Sequence, residues 1–320
     1  MYELVLRGQY YANRGAEENL NKAIEYFEQA IARGPNDAPA HAGLAFSYQH
    51  LASIYQSPRE VMPKAKAAAY RALELDETLA DAHVTLARVL LFYDWDWPAA
   101  EEHLKRATEL SPNSAAAHLL YGAYYAALGR PQESLAEIRF ARALDPLSLP
   151  VQQQLIFSLI GARQFDEAIA QALQTLEREP NFAFGYALSA LAYAEKGEFG
   201  RAIEAIEKAT KIESNPVLTA LTAHVQAAAG NRREAEKLLE GLKAISRRRY
   251  VCAYDMAHAY VKLGDKKQAF EWLEKGKQDR ADCMVWLGIE PWMDPLRGER
   301  QYRELLDYIG LATGKAGPKP

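Results

Sequence analysis

Prolines recur in the middle of this 320-residue chain at an interval of 34 residues, at Pro112, Pro146 and Pro180. Small residues recur at nearly the same interval, at Ser134, Ala168, Ala202, Ala235 and Ala269. Glycines follow it with one period skipped, at Gly129, Gly197, Gly230 and Gly264. A fixed period of this length indicates a repeat array, in which each unit buries its apolar face on its neighbours. The chain therefore need not divide into two globular cores, which its length alone would suggest.

The clearest unit is residues 115–148, AAAHLLYGAYYAALGRPQESLAEIRFARALDPLS. Gly122 and Ala141 are small enough to let two antiparallel helices approach closely. Gly129 suits the left-handed residue that ends the first helix of a pair, here called helix A. Pro146 interrupts the chain after the second helix, helix B. The unit is therefore predicted to be a helical hairpin.

This pattern resembles the tetratricopeptide repeat. The resemblance implies an all-α, right-handed superhelical solenoid of about eight hairpins with a C-terminal capping helix. The stretches "SPRE", "YDWDWPAAE", "ALDPLSL", "RRRYV" and "DPLR…YRELLDYIGL" are further similar to the C-terminal arrays of bacterial winged-helix regulators, serine/threonine kinases and nucleotide cyclases. These 320 residues contain no such effector domain, so none of those activities is assigned to them.

We predict a single array over residues 1–311 and a disordered tail over 312–320. The hairpins are placed at 2–35, 38–77, 80–112, 115–148, 149–182, 183–215, 216–246 and 250–280. Residues 281–311 follow as a capping segment. Its last part is predicted to be a helix from Arg300, with an apolar stripe formed by Tyr302, Leu305, Leu306 and Ile309.

The second hairpin is irregular, because its two helices are separated by more residues than the pattern allows. "SPRE", from Ser57, predicts a helix start with Pro58 in the first helical position. Pro63 then predicts a kink or a restart of that helix. Helix A of this hairpin is expected to be longer, or a short extra turn to protrude.

Charge and composition exclude several classes of partner. The net charge of −4 provides no electrostatic footprint for nucleic acid, and it argues against docking on an anionic membrane surface. No apolar stretch approaches the roughly 18 residues that a membrane span needs. The two cysteines cannot form a disulfide framework. We predict a cytoplasmic location; the alternative is extracytoplasmic, with a membrane span upstream of the array.

Several residues suggest chemistry but have a structural interpretation. His41, His83 and His118 occupy the fourth position of three successive A helices, a spacing typical of repeat packing rather than of metal ligation. His224 and His258 both occupy a ninth position, and a loose metal cluster with Cys252 and Asp255 is not favoured because Cys252 and His258 do not share a helix face.

Asp94 and Asp96 lack the glycine turn and distal glutamate of a calcium loop. "GLATGKAG", from Gly310, has the wrong spacing for a phosphate loop. No motif combines a nucleophile, a base and an oxyanion donor. We therefore predict no enzymatic activity, no metal site and no cofactor.

The predicted site is the concave face of the array, which the resemblance assigns to the second, fifth, ninth, twelfth and thirteenth positions of each helix A. The residues at these positions are mostly apolar and aromatic: Gln9, Phe46, Gln49, His50, Val84, Arg88, Phe92, Leu119, Gln153, Phe157, Phe184, Leu191, His224, Tyr254 and His258. The lysines that grip acidic C-termini in one subclass of the family are replaced by Val5, Ala42 and Val84. That subclass is not favoured.

An apolar concavity of this kind is typical of a partner site. Our first hypothesis is a non-catalytic module that binds a protein or peptide segment in the groove. The second is a sensory region of a larger regulator that binds a small ligand or an intramolecular segment. Self-association is a further kind of partnership that the face would allow. The structural alternative is a narrow groove whose side chains pack on one another.

The stretch "YDWDWPAAEEHL", from Tyr93, resembles an aromatic-acidic binding site. The repeat register instead places it at the corner between helices A and B of the third hairpin, with one inserted residue. Asp96 is predicted to cap helix B, with Pro98 close behind it. Trp95 and Trp97 stand where the glycine turn is expected and are predicted to pack on the neighbouring helices.

Overall fold

Helices follow one another in pairs through the computed structural model of the chain, which describes residues 1–52 and 54–311. Within these residues the protein is all-α and contains no β-strand. The predicted tail, 312–320, lies outside the described residues. Two compact units divide the chain, Met1–Leu120 and Tyr121–Pro320. None of the described helices combines the length and the apolar character that crossing a bilayer requires.

The first unit contains three hairpins. Its helices are α1 (Tyr2–Ala12), α2 (Glu17–Arg33), α3 (Ala38–Leu51), α4 (Pro58–Leu75), α5 (Ala80–Val89) and α6 (Trp97–Leu110). Each helix packs on the next. The ring of Phe27 is fully buried and lies so close to Gly43 that a Cβ atom there would be 2.2 Å from it. A glycine inside α3 is therefore needed for this close packing.

The second hairpin places extra residues in a short turn between its helices, which is the second of the two expected alternatives. Helix α3 is not extended, and the six residues between it and α4 include an isolated bridge between Ala52 and Gln56. Helix α4 begins at Pro58, as predicted, but Ser57 makes no side-chain capping bond. Pro63 lies inside a continuous helix. Pro63 deprives α4 of one backbone hydrogen bond, to the carbonyl group of Arg59, and the helix continues through it.

The stretch from Tyr93 to Pro98, here called the tryptophan corner, has the structural role that the repeat register predicted. After α5, a π-helical turn, Leu90–Asp94, absorbs the inserted residue. Trp95 then adopts the left-handed conformation, with φ of 58°. The Asp96 side chain accepts a hydrogen bond from the Ala99 amide at 3.2 Å and so caps α6. Both tryptophans, Trp95 and Trp97, are buried.

The second unit continues the hairpins. Helix α7 (Ala115–Ala127) spans the boundary between the units and is followed by α8 (Pro131–Leu144), α9 (Leu149–Gly161), α10 (Phe165–Arg178), α11 (Ala183–Glu195), α12 (Phe199–Ile212), α13 (Pro216–Ala228), α14 (Arg232–Ile245), α15 (Ala253–Lys262) and α16 (Lys266–Asp279). The predicted left-handed glycines end four of the A helices, at Gly129, Gly197, Gly230 and Gly264. After α9 the left-handed position is taken by Arg163.

Residues 281–311 form the C-terminal segment. It consists of two 3₁₀ helices, Asp282–Trp286 and Pro291–Leu296, and of α17 (Arg300–Tyr308). The predicted stripe of α17 is confirmed, because Tyr302, Leu305, Leu306 and Ile309 are all buried. The 3₁₀ helices pack on α15, and α17 packs on α16. The segment is thus an integral part of the second unit's core.

Candidate functional site

Four A helices of the second unit, α9, α11, α13 and α15, turn one face toward a common cavity of about 190 Å³. Six of the predicted groove residues line it: Gln153, Phe157, Phe184, Leu191, Tyr254 and His258. The same face was predicted from the repeat register. We call this space the aromatic cavity.

The C-terminal segment forms another wall of the aromatic cavity. It contributes Cys283, Trp286, Glu290 and Trp292. The Trp286 ring meets Phe157 edge to face, with centroids 4.9 Å apart. Sequence reasoning missed these four residues, although a run of aromatic and acidic residues between Trp286 and Asp294, outside the repeat period, was a visible signal.

A buried histidine pair packs against this wall. The Nδ1 atoms of His224 and His258 are 3.1 Å apart, so one ring donates a hydrogen bond to the other. Trp292 packs against both imidazoles, with centroids 5.4 Å from His224 and 6.1 Å from His258. Burial, together with His258 and Lys262, lowers the pKa of His224 well below its ordinary value. His224 is therefore neutral and acts as a packed core group.

Glu290 is a buried carboxyl group in the same wall. Its Oε2 atom accepts hydrogen bonds from the Tyr254 hydroxyl and, at 2.7 Å, from Trp292 Nε1. Burial raises the pKa of Glu290 well above its usual range, against the effect of these two donors, and the nearby Asp255 raises it further. The folded protein therefore favours the neutral acid form of Glu290.

The neutral state of Glu290 predicts a pH effect on stability. As pH rises above the ordinary glutamate value of 4.5, the unfolded chain loses the proton while the folded chain keeps it, so the free energy of unfolding falls. A glutamine side chain at this position would resemble the neutral acid and cannot ionise. We expect Glu290→Gln to become increasingly more stable than the wild type as pH rises from about 5 to 7, in urea unfolding at each pH.

The matched control is Glu207→Gln, because Glu207 is exposed on α12. Its stability difference from the wild type should not change over the same pH range. A constant difference for Glu290→Gln as well would show that Glu290 is ionised in the folded protein.

Charged side chains fasten the C-terminal segment to the end of α9. Arg163 Nη2 donates to both carboxylate oxygens of Asp294, at 2.9 and 2.7 Å, and Arg297 Nε donates to the same carboxylate at 2.7 Å. These two cations lower the pKa of Asp294, although partial burial acts in the opposite direction. The Ile289 side chain lies so close to Gly161 that a Cβ atom there would be 3.1 Å from it.

The first unit holds the other predicted groove residues. These residues are Gln9, Phe46, Gln49, His50, Val84, Arg88, Phe92 and Leu119. Phe92 is buried, and the others are exposed or half-buried. Two pairs are in contact. The Phe46 and His50 rings stack with centroids 3.8 Å apart, and the Arg88 guanidinium lies 5.4 Å from the Phe92 centroid.

The three histidines at the fourth helix position have a structural role, as predicted. His41, His83 and His118 each donate from Nε2 to the carbonyl oxygen six residues earlier, at 2.9 to 3.1 Å. Gln152 makes the same bond with its side-chain amide, at 3.0 Å. This donor ties the start of each helix A to the preceding loop and satisfies a carbonyl group there.

The two aspartates of the tryptophan corner also make structural contacts. Asp94 pairs with Lys66 at 2.7 Å, and Asp96 caps α6. The glycine-rich stretch from Gly310 falls almost entirely outside the described residues.

Successive helical hairpins of similar length, four of which line one cavity with their A helices, define a helical-repeat protein. Models of the tetratricopeptide repeat match residues 89–148, 158–216 and 252–278. The chain contains tetratricopeptide repeats, as the sequence pattern predicted. None of the curated proteins matches the sequence significantly. The resemblance to the arrays of bacterial regulators stays a prediction.

Solved structures show the same fold. PilW, a type IV pilus biogenesis factor, is 22% identical, with a TM-score of 0.53 over 66% of this chain and 94% of that chain. A tetratricopeptide repeat protein from Parabacteroides merdae is 14% identical, with a TM-score of 0.58 over 83% of this chain and 98% of that chain. Cut9, from the APC/C hetero-tetramer Cut9-Hcn1, is 16% identical, with a TM-score of 0.58 over 96% of this chain and 62% of that chain.

Proposed function

We propose that this chain is a non-catalytic protein-interaction module, and that the aromatic cavity receives a side chain of a bound peptide or protein segment. The lining supports this proposal. Five aromatic rings surround the space, and the amides of Gln153 and Gln154 offer hydrogen bonds to a peptide backbone. In protein interfaces, a few residues that pack into desolvated pockets carry most of the binding energy.

The size of the aromatic cavity favours a side chain over a free small molecule. Its volume is about 190 Å³, whereas pockets for drug-sized ligands enclose about 300–1,000 Å³. One aliphatic or aromatic anchor would fill it, with the rest of the partner lying outside. Cut9, whose fold is similar, was solved in a hetero-tetramer with Hcn1, which is consistent with a protein partner.

Phe184 provides the sharpest test of the proposal. It is half-buried on α11 and lines the aromatic cavity. Phe184→Glu would place a charge where an apolar anchor binds. Peptides selected from a displayed library on the full chain should bind this variant more than about 30-fold more weakly, the factor that corresponds to a hot spot of about 2 kcal/mol. Isothermal titration would measure the loss.

Phe199→Glu is the matched control. Phe199 is 38% exposed at the start of α12, where an acidic residue suits the helix end. The Phe199→Glu variant should bind the selected peptides as tightly as the wild type does. Full binding by Phe184→Glu, or equal loss in both variants, would contradict the assignment. Phe157→Glu is a second disruption of the same wall, but it also breaks the contact with Trp286.

A second candidate is a regulatory region that binds a small ligand or an intramolecular segment. One observation favours the latter: the chain's own C-terminal segment already packs against the predicted groove residues Phe157, His224 and Tyr254. Hydrogen exchange with and without a selected peptide shows whether the peptide and the C-terminal segment compete for the same surface. Lost protection over residues 282–296 indicates that the peptide displaces the segment, and unchanged protection indicates binding beside it.

A further inference from the structure

We propose that Cys252, Asp282 and Cys283 form a binding site for a zinc ion, independently of the proposed function. The two sulfur atoms are 3.7 Å apart. Asp282 Oδ1 lies 3.3 Å from Cys283 Sγ. All three potential ligand atoms lie within 4.8 Å of one another. In the described part of the chain, this trio brings together the cysteine and carboxylate groups that a metal ion needs.

The spacing agrees with zinc geometry. Two thiolates at about 2.3 Å from a tetrahedral zinc ion are separated by about 3.8 Å. A disulfide would require about 2.05 Å between the sulfur atoms, and both cysteines are free. The observed separation of 3.7 Å therefore matches two ligands of one ion.

The local structure presents these ligands. Cys252 is buried and immediately precedes α15. Cys283 and Asp282 begin the first 3₁₀ helix of the C-terminal segment. The Asp282 carboxylate accepts the Cys283 amide at 2.8 Å, which orients it toward the sulfur atoms.

Tyr250 provides a second observation at the same place. Its hydroxyl is buried and has no hydrogen-bond partner among the described residues. Tyr250 lies two residues before Cys252 in the chain. A buried hydroxyl without a partner is costly, and a ligand of the ion, such as a bound water, would provide one.

The ligand chemistry selects the ion. Two thiolates exclude magnesium and calcium, which prefer oxygen ligands. Zinc accepts two sulfurs and a carboxylate in tetrahedral geometry, with the fourth position open to water. Bound there, the ion would join the start of α15 to the first turn of the C-terminal segment. It would thereby stabilise the wall of the aromatic cavity that contains Cys283 and Trp286.

Cobalt(II) added to the metal-stripped full chain, kept in a phosphine reductant, tests the site. We expect one Co²⁺ per chain with thiolate-to-metal charge-transfer absorption, which Zn²⁺ then abolishes. Even outer-shell partners of metal sites contribute about 10- to 100-fold in affinity. Cys252→Ser and Cys283→Ser should therefore weaken Co²⁺ binding by more than about 100-fold, and Asp282→Asn by at least about 10-fold.

The double variant Cys252→Ser/Cys283→Ser removes both cysteines of the chain and measures adventitious binding by histidines. Equal binding by this variant, or a wild type without charge-transfer absorption, overturns the proposal. The presence or absence of charge-transfer absorption in the wild type tests the proposal even if a variant fails to fold. None of these outcomes depends on peptide capture, so the test is separate from that of the proposed function.

Discussion

Replacement of Trp292 by alanine should cost about 3–5 kcal/mol in the free energy of unfolding, the range for truncating a fully buried large aromatic side chain. Only 2% of Trp292 is exposed. Its ring packs against His224 and His258, and its indole nitrogen donates to Glu290. The variant leaves a void and removes a donor from a buried carboxyl group, so both effects act in the same direction.

The control is Trp272→Ala. Trp272 is half-buried on α16, where its ring lies near the ammonium group of Lys275. It should lose about 1 kcal/mol or less. Urea unfolding monitored by circular dichroism measures both variants. Similar losses for the two tryptophans would show that Trp292 is not a central contact of the C-terminal segment.

A chain that ends at Arg280 should lose the native packing of the second unit. The missing C-terminal segment contributes core side chains that are fully buried: Met284, Val285, Leu287, Met293 and Leu296. Each such side chain is worth about 1.5–3 kcal/mol when buried. Removal of the C-terminal segment also uncovers Phe157 and Tyr254. Exposed apolar patches of this kind bind hydrophobic dyes and promote self-association.

We therefore expect strong fluorescence of a hydrophobic dye, association in gel filtration and faster amide exchange in α9 and α15. A chain that ends at Leu311 is the control and should behave like the full chain. If the chain ending at Arg280 keeps native exchange rates in α15, the segment is an attachment rather than part of the core.

The repeat hairpins were predictable because their constraints are local. The interval between prolines and the small residues at fixed positions placed the helices, and glycine placed the left-handed ends. The cap at Asp96 followed from one helix signature. The π-helical turn before Trp95 was not predicted, because an inserted residue can be absorbed by a turn or by a bulge, and only packing decides between them.

The C-terminal wall of the aromatic cavity was not predictable in the same way. Residues 281–299 have no equivalent in the repeat, so their path depends on contacts with residues far away in sequence. Arg163 and Asp294, for example, are 131 residues apart. The histidine pair shows a related limit. The sequence placed His224 and His258 at equivalent positions of two A helices, but their direct contact depends on how α13 packs on α15.

The shared lining of the aromatic cavity has an evolutionary consequence. Helices of the repeats must satisfy their neighbours on both sides, so a change on their inner face is constrained by the whole stack. Trp286, in contrast, is half-buried and belongs to the C-terminal segment, which has no counterpart in the hairpins. Under the proposed function, selectivity for a partner can therefore diverge by drift in one short non-repetitive stretch, without duplication or loss of a hairpin. Consensus redesign of the hairpins alone would preserve the scaffold and lose the pocket.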